Sequence, residues 1–286
     1  MKNVEIIAKP QAAHFVGDGF RVHNLIPSIA SASRMSPFIM LDYNSTYHFP
    51  PSEIPKGVGV HPHRGFETVT IAYKGRVEHG DSSGGGGVIK EGDVQWMTAA
   101  SGILHKEFHE TEWSKTGGDF QMVQLWVNLP AKDKMSTPKY QAIANNEQTK
   151  VKLDQGEIEV IAGEYQGNKG PASTFTPMHV MNAKLEAGGK ASFSFPAHYN
   201  TAMIVIEGNI LINGKDKAPT DHFVMFGNEG EEFNVQALDE AVVLIMSGEP
   251  ILEPIVSHGP FVMNSRAEIN RAFEDFQTGK FGYLAD

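Results

Sequence analysis

A succession of short apolar or alternating runs, each closed by a turn signal, most narrows what this chain can become. They run from Val69 to Tyr73, Val77 to His79, Gly87 to Ile89, Asp93 to Thr98 and Phe120 to Leu129. In the second half they run from Val151 to Ile161, Ala191 to Phe195, Ala202 to Ile206, Ile210 to Ile212, Phe223 to Phe226 and Ala241 to Met246. Strands this brief, without helical periodicity between them, predict a sandwich or barrel rather than alternating βαβ units. The chain is therefore expected to be all-β in the main. Its 29 glycines and 16 prolines supply the turns. One helix is expected near the end: Ser265-Arg266-Ala267-Glu268 has capping-box spacing, and Ile269, Ala272, Phe273 and Phe276 follow on one face before Gly279.

At 286 residues the chain exceeds the usual single-domain size. A weak internal repeat points to two halves. Val69 to Val77 resembles Ala202 to Ile210, each a strand ending at a glycine and resuming after it. The stretch from Pro130 through Pro138 to Lys150 has little periodicity and reads as the connector. The expected domains are 1–145 and 146–286.

The formal charge of −10 argues against a nucleic-acid surface, which needs lysine and arginine to neutralise phosphates. No stretch approaches a membrane span, and the first ten residues lack the apolar segment of a signal peptide, so a cytoplasmic protein is expected. With no cysteine, any metal must be held by nitrogen and oxygen.

Five of the twelve histidines lie between His61 and His109. His61 and His63 have i, i+2 spacing, as do His105 and Glu107, so in extended strands each pair leaves one face about 7 Å apart and two such pairs can converge on one ion. Three imidazoles and a carboxylate suit a first-row divalent ion and leave it about one net positive charge, which attracts an enolate or carboxylate. Glu67 continues the first pair's alternation and is expected to accept an imidazole N–H, with a base or a fifth ligand as the other readings.

Other candidates have plainer readings. His109 is expected at the surface or in a hydrogen bond, and His79 in a turn beside Gly80-Asp81; neither joins the site. Gly84 to Gly87 lacks the Lys-Ser/Thr of a phosphate loop and reads as a hairpin tip. Trp96 reads as core with a secondary role lining a pocket above the ion, and Arg64 and Lys106 as solvated.

Val60-His61-Pro62-His63-Arg64-Gly65-Phe66-Glu67-Thr68-Val69 and the block from Gly92 to Glu107 resemble the two signature blocks of pirins, within the cupin superfamily. The tail from Gly248 to Val256, with Gly259 to Asn264, is similar to the pirin C-terminal block. The resemblance implies a bicupin: two tandem antiparallel β-barrels or jelly rolls with a C-terminal helix, the first binding metal and the second degenerate. Residue by residue it implies His61, His63, His105 and Glu107 as ligands. His109 stands where general cupins have asparagine, and this matches the pirin variant.

The implied activity is quercetin 2,3-dioxygenase-type cleavage of a flavonol or related enolic substrate with O2. Glu107 or Glu67 would act as base. The expected cofactor is one divalent metal, Fe(II) before Mn, Ni, Co, Cu or Zn. The alternative implied by the family is an iron-dependent, redox-responsive protein that binds a transcription factor or metabolic enzyme. A monomer is expected, and the sequence assigns no substrate-binding residues.

Overall fold

The computed structural model describes residues 1–285. Contacts group them into two units, each discontinuous in the chain: 12–27, 38–145 and the C-terminal segment from 251 form one, and 1–11, 28–37 and 146–250 the other. The C-terminal helix, Arg266–Gln277, which the sequence division groups with residues 146–286, lies in the unit that carries residues 38–145.

The unit containing residues 38–145 has a seven-stranded antiparallel sheet in the order Lys139–Ile143, Val94–Thr98, Phe66–Lys74, Gly118–Asn128, Phe38–Phe49, Phe20–Ile26 and His14–Val16. Its second sheet has four strands, in the order Gly57–His63, Ile103–His109, Val77–Asp81 and Gly86–Ile89. The two sheets face each other across a shared interior. At one end Val77 and Ile89 of the smaller sheet pack on Phe20, Phe49, Ala72, Phe120 and Met122 of the larger.

The other unit repeats the plan with a seven-stranded sheet from Val4–Ala8 to Thr149–Leu153 and a four-stranded sheet in the order Lys190–Ser194, Glu232–Ala237, Asn209–Ile212 and Asp216–Pro219. Residues of both sheets, including Phe193, Ile212, Phe233 and Val235 against Met181, Met203, Val205 and Val224, build one apolar core.

The predominance of β structure agrees with the sequence reading, but the expected barrels do not form. Among the described residues no sheet closes on itself. A barrel needs its first and last strands to hydrogen-bond. Here His14–Val16, Lys139–Ile143, Gly57–His63 and Gly86–Ile89 each pair on one side only, and side-chain packing between open sheets encloses the interior. Strand pattern alone does not distinguish these outcomes, because inward and outward residues alternate in both.

Two local expectations also change. The run from Val151 to Ile161 is a hairpin of Thr149–Leu153 and Gly156–Ala162 turning at Asp154-Gln155. The connector is not featureless, for Lys139–Ile143 pairs with Val94–Thr98. Lys134, only 1 % exposed, donates its Nζ to the carbonyls of Gly65 (2.7 Å) and Val262 (3.0 Å) and to Asn128 Oδ1 (2.6 Å).

The helix forms as its pattern predicts. Ser265 Oγ accepts from Glu268 N–H at 3.3 Å and donates to Glu268 Oε2 at 2.8 Å, while Ile269 and Ala272 bury with Phe261, Met263 and Phe281. Arg64 departs from its solvated reading. It is 3 % exposed, donates to Asp275 Oδ2 of the helix (2.9 Å) and Ser101 O (2.7 Å), and its guanidinium lies 4.7 Å from the Phe281 ring centroid. This ties the C-terminal segment to the end of the His61/His63 strand. Among the described residues no helix is long and apolar enough to cross a membrane.

Lys134→Met would leave three buried acceptors without their donor. Unsatisfied buried acceptors predict a loss on the order of 2 kcal/mol, read as a lower urea midpoint at unchanged slope.

Candidate metal centre

Strands Gly57–His63 and Ile103–His109 are neighbours in the four-stranded sheet, with His61 directly opposite His105 and His63 opposite Ile103. Their antiparallel pairing places all three imidazoles on one face, pointing at the larger sheet. The register shifts between His105 and Glu107, which pairs with Val58, so the extra residue of this irregularity lies in Gly57–His63. The ring centroids lie 4.1 Å (His61–His105), 4.6 Å (His63–His105) and 4.9 Å (His61–His63) apart. One ligand nitrogen from each falls within 4.8 Å of the others, and together they form a group that could hold one metal ion.

Each ring is held by its Nδ1. His61 Nδ1 lies 2.8 Å from Gly59 O, and His63 Nδ1 lies 3.3 Å from Pro260 O in the C-terminal segment. His105 Nδ1 lies 3.2 Å from His79 Nε2. A carbonyl oxygen only accepts, so His61 and His63 carry their proton on Nδ1 and present an Nε2 lone pair. His105 Nε2 is buried and has no protein partner. Burial, reinforced by the adjacent imidazoles, pushes His63 down to about 3 and His105 well below the usual histidine range. Burial lowers His61 as well. Neutral imidazoles with convergent lone pairs are the donor set a divalent ion requires.

Glu107 follows on the same strand face but is not among the mutually close ligand atoms. Its carboxylate reaches the facing sheet, accepting from Thr70 Oγ1 (3.3 Å) and Gln124 Nε2 (3.2 Å). Burial pushes it up to about 7 against those two donors. Beside the histidines lies a cavity of about 340 Å³. His61, His63 and Glu107 meet a largely apolar wall there that includes Met40, Met122 and Trp126, with Asp42 and Gln124 as polar points. Trp126 stacks on Phe66 (4.1 Å, 27°) and stands edge-on to His63 (5.1 Å), fixing one side of the site.

Glu67 is not part of this arrangement. It pairs with Thr98 in unbroken register with Thr70 against Gln95, so Glu67 and Thr70 lie on opposite faces of their strand. Thr70 touches Glu107; Glu67, which the alternation had set beside the histidines, instead accepts from Thr98 Oγ1 at 2.8 Å on the far face. The sequence alternation was carried through Arg64-Gly65, where Gly65 at φ +89° turns the chain and resets the phase. Trp96, two residues before Thr98, shares that far face and does not line the cavity.

His109 shares the ligand face but sits lower, in a cage of Phe49, Phe120 and Trp113 with its Nε2 donating to Gly19 O at 2.8 Å. His79, read from sequence as a turn residue, lies within strand Val77–Asp81, 3 % exposed and in contact with His105. The available signal was the alternation of Val77, His79 and Asp81, which marks an inward-facing strand. Thr70, Gln124 and Pro260 carry no comparable sequence signal; sheet packing recruits them.

A two-sheet β fold of cupin type with a three-histidine metal cluster defines the class of protein. The comparisons with known proteins narrow it. The Pirin family model matches residues 19–127, and that of the Pirin C-terminal cupin domain matches 180–282. A putative quercetin 2,3-dioxygenase of Pseudomonas aeruginosa is 45 % identical over 98 % of this chain and 99 % of its own, and human pirin is 38 % identical over 80 % and 79 %. A crystal structure of quercetin 2,3-dioxygenase from Acinetobacter baumannii superposes with a TM-score of 0.94 at 47 % identity, covering both chains completely. The chain belongs to the pirin family.

Burial holds the Glu67 carboxyl up at about 7, against a usual 4.5, opposed by the Thr98 bond. A carboxyl raised in the folded state contributes stability fully below the unfolded value and loses it as pH rises through 7. Glu67→Gln removes that loss. The melting temperature of the metal-free variant should therefore fall less than that of the parent between pH 5 and 8; parallel curves would refute the assignment.

Proposed function

We propose that this protein is a metal-dependent dioxygenase that opens the ring of a flavonol or related enolic substrate with O2 and releases carbon monoxide. His61, His63 and His105 hold one Fe(II), and Glu107 supplies a fourth contact. The observation that carries this reading is the convergence of three imidazoles, of which His61 and His63 line an apolar cavity of about 340 Å³. That volume falls within the range of small-molecule sites. Relatives at 45 % and 47 % identity that bear the quercetin 2,3-dioxygenase name support the same substrate class.

The bound ion supplies Lewis acidity that favours the deprotonated form of an enolic hydroxyl and a centre at which O2 chemistry can occur. The chain's residues do the rest. In this reading Glu107 accepts the proton of the substrate hydroxyl, a role supported by its raised value of about 7 and its anchoring by Thr70 and Gln124. Met40, Met122 and Trp126 provide apolar surface for an aromatic ring and keep water from the reacting carbons.

Reconstitution of metal-free protein under anaerobic conditions with Fe(II), Mn(II), Ni(II), Co(II) or Cu(II), followed by admission of O2, should produce loss of flavonol absorbance. Failure with every metal would sink the proposal. Glu107→Gln should lower kcat about 10²- to 10⁴-fold, the usual contribution of a positioned base. An equally active variant would remove Glu107 from that role.

A further inference from the structure

Two of the three clustered imidazoles are tethered to backbone carbonyls, which every sequence supplies; the third is tethered to a side chain. His105 Nδ1 meets His79 Nε2 at 3.2 Å, and the same His79 Nε2 lies 3.2 Å from Gln95 Nε2. With the Gln95 amide nitrogen turned towards it, His79 Nε2 is the acceptor in that contact, which leaves the hydrogen of His79 on its buried Nδ1. In that arrangement His105 Nδ1 is the donor towards it. It follows that the other nitrogen of His105, the buried and unpartnered Nε2, holds the lone pair. The reverse tautomer would put a hydrogen at Nε2 and remove that ring from the donor set.

We propose that His79 is a positioning residue that sets the tautomer and orientation of His105 and thereby the affinity of the three-histidine centre for a divalent ion. Three observations support it. His79 is almost fully buried on the strand adjacent to that of His105 and shares its face, where His79 pairs with Glu107 and Asp81 with His105. Its own ring is fixed by stacking on Tyr140, with centroids 5.6 Å apart and planes within 10°. The second unit provides an internal control. There Phe233 pairs with Phe193 as His105 pairs with His61, and on that equivalence Val235 stands for Glu107 and Ile212, its partner, for His79. Where the ligand is replaced by an apolar residue, the group that would orient it is replaced as well.

The inference rests on the three-histidine reading above, and its test separates the two. Co(II) affinity would be measured by chelator competition, together with the Co(II) d–d absorption spectrum, for the parent, His105→Ala, His79→Leu and His79→Gln. His105→Ala should abolish binding; if it binds Co(II) like the parent, the centre itself is misassigned and the role of His79 falls with it. With the centre intact, His79→Leu should weaken Co(II) 10- to 100-fold, the usual effect of losing a partner that orients a ligand, and shift the d–d bands. His79→Gln, which retains an acceptor, should recover most of the affinity. Parent-like affinity and spectrum for His79→Leu would overturn the proposal. Should His79→Leu fail to fold, two-bond ¹H–¹⁵N correlation of the metal-free parent decides: a His105 protonated on Nδ1 supports the proposal, and one protonated on Nε2 overturns it.

Discussion

Three imidazoles, each with its Nδ1 against a different polar atom, are the constraint on which the centre depends. Imidazoles buried this closely would otherwise be a liability, since each carries a polar nitrogen away from water without a partner. Tethering one nitrogen of each ring satisfies half of that demand and fixes where the other half points. These partners come from distant parts of the unit: Gly59 on the strand of His61 and His63, His79 on a neighbouring strand and Pro260 in the C-terminal segment. The buried Arg64–Asp275 pair and the Lys134 contacts, which secure that segment and the start of strand Phe66–Lys74, therefore also secure His63.

The two units show what the same scaffold does without this demand. Strand register makes Phe193, Phe195 and Phe233 the counterparts of His61, His63 and His105. Phe193 and Phe233 stack at 5.1 Å and 22°, Phe195 packs 6.0 Å from Phe233, and the site becomes core. Burying such a side chain contributes about 1.5–3 kcal/mol, so one half uses this position for stability and the other for chemistry. Carried back without a gap, the repeat of Val69 to Val77 in Ala202 to Ile210 sets His61 and His63 against Ser194 and Pro196, one residue too far. Six residues separate His63 from Val69, but seven separate Phe195 from Ala202, and only strand pairing reveals where the extra one lies.

Much of the site was legible before folding. Spacing alone placed His61 with His63 and His105 with Glu107 on strand faces, because a period of two follows from extended backbone geometry. The helix was legible for a similar reason: its cap and its stripe of Ile269 and Ala272 are local. Glu67 shows where locality ends. Its phase depended on a turn at Gly65, and no alternation rule survives a residue at positive φ.

The amino-acid sequence by itself determined the β character, the nitrogen and oxygen donor chemistry and the family, since these follow from short-range periodicity, composition and motif. Tertiary structure decided that the sheets stay open rather than closing as barrels, and that Thr70 and Gln124 hold Glu107. It also decided that His79, and not Glu67, lies against one of the clustered histidines. Each of these depends on which strands become neighbours, a long-range choice set by packing between sheets and not by any residue's immediate surroundings.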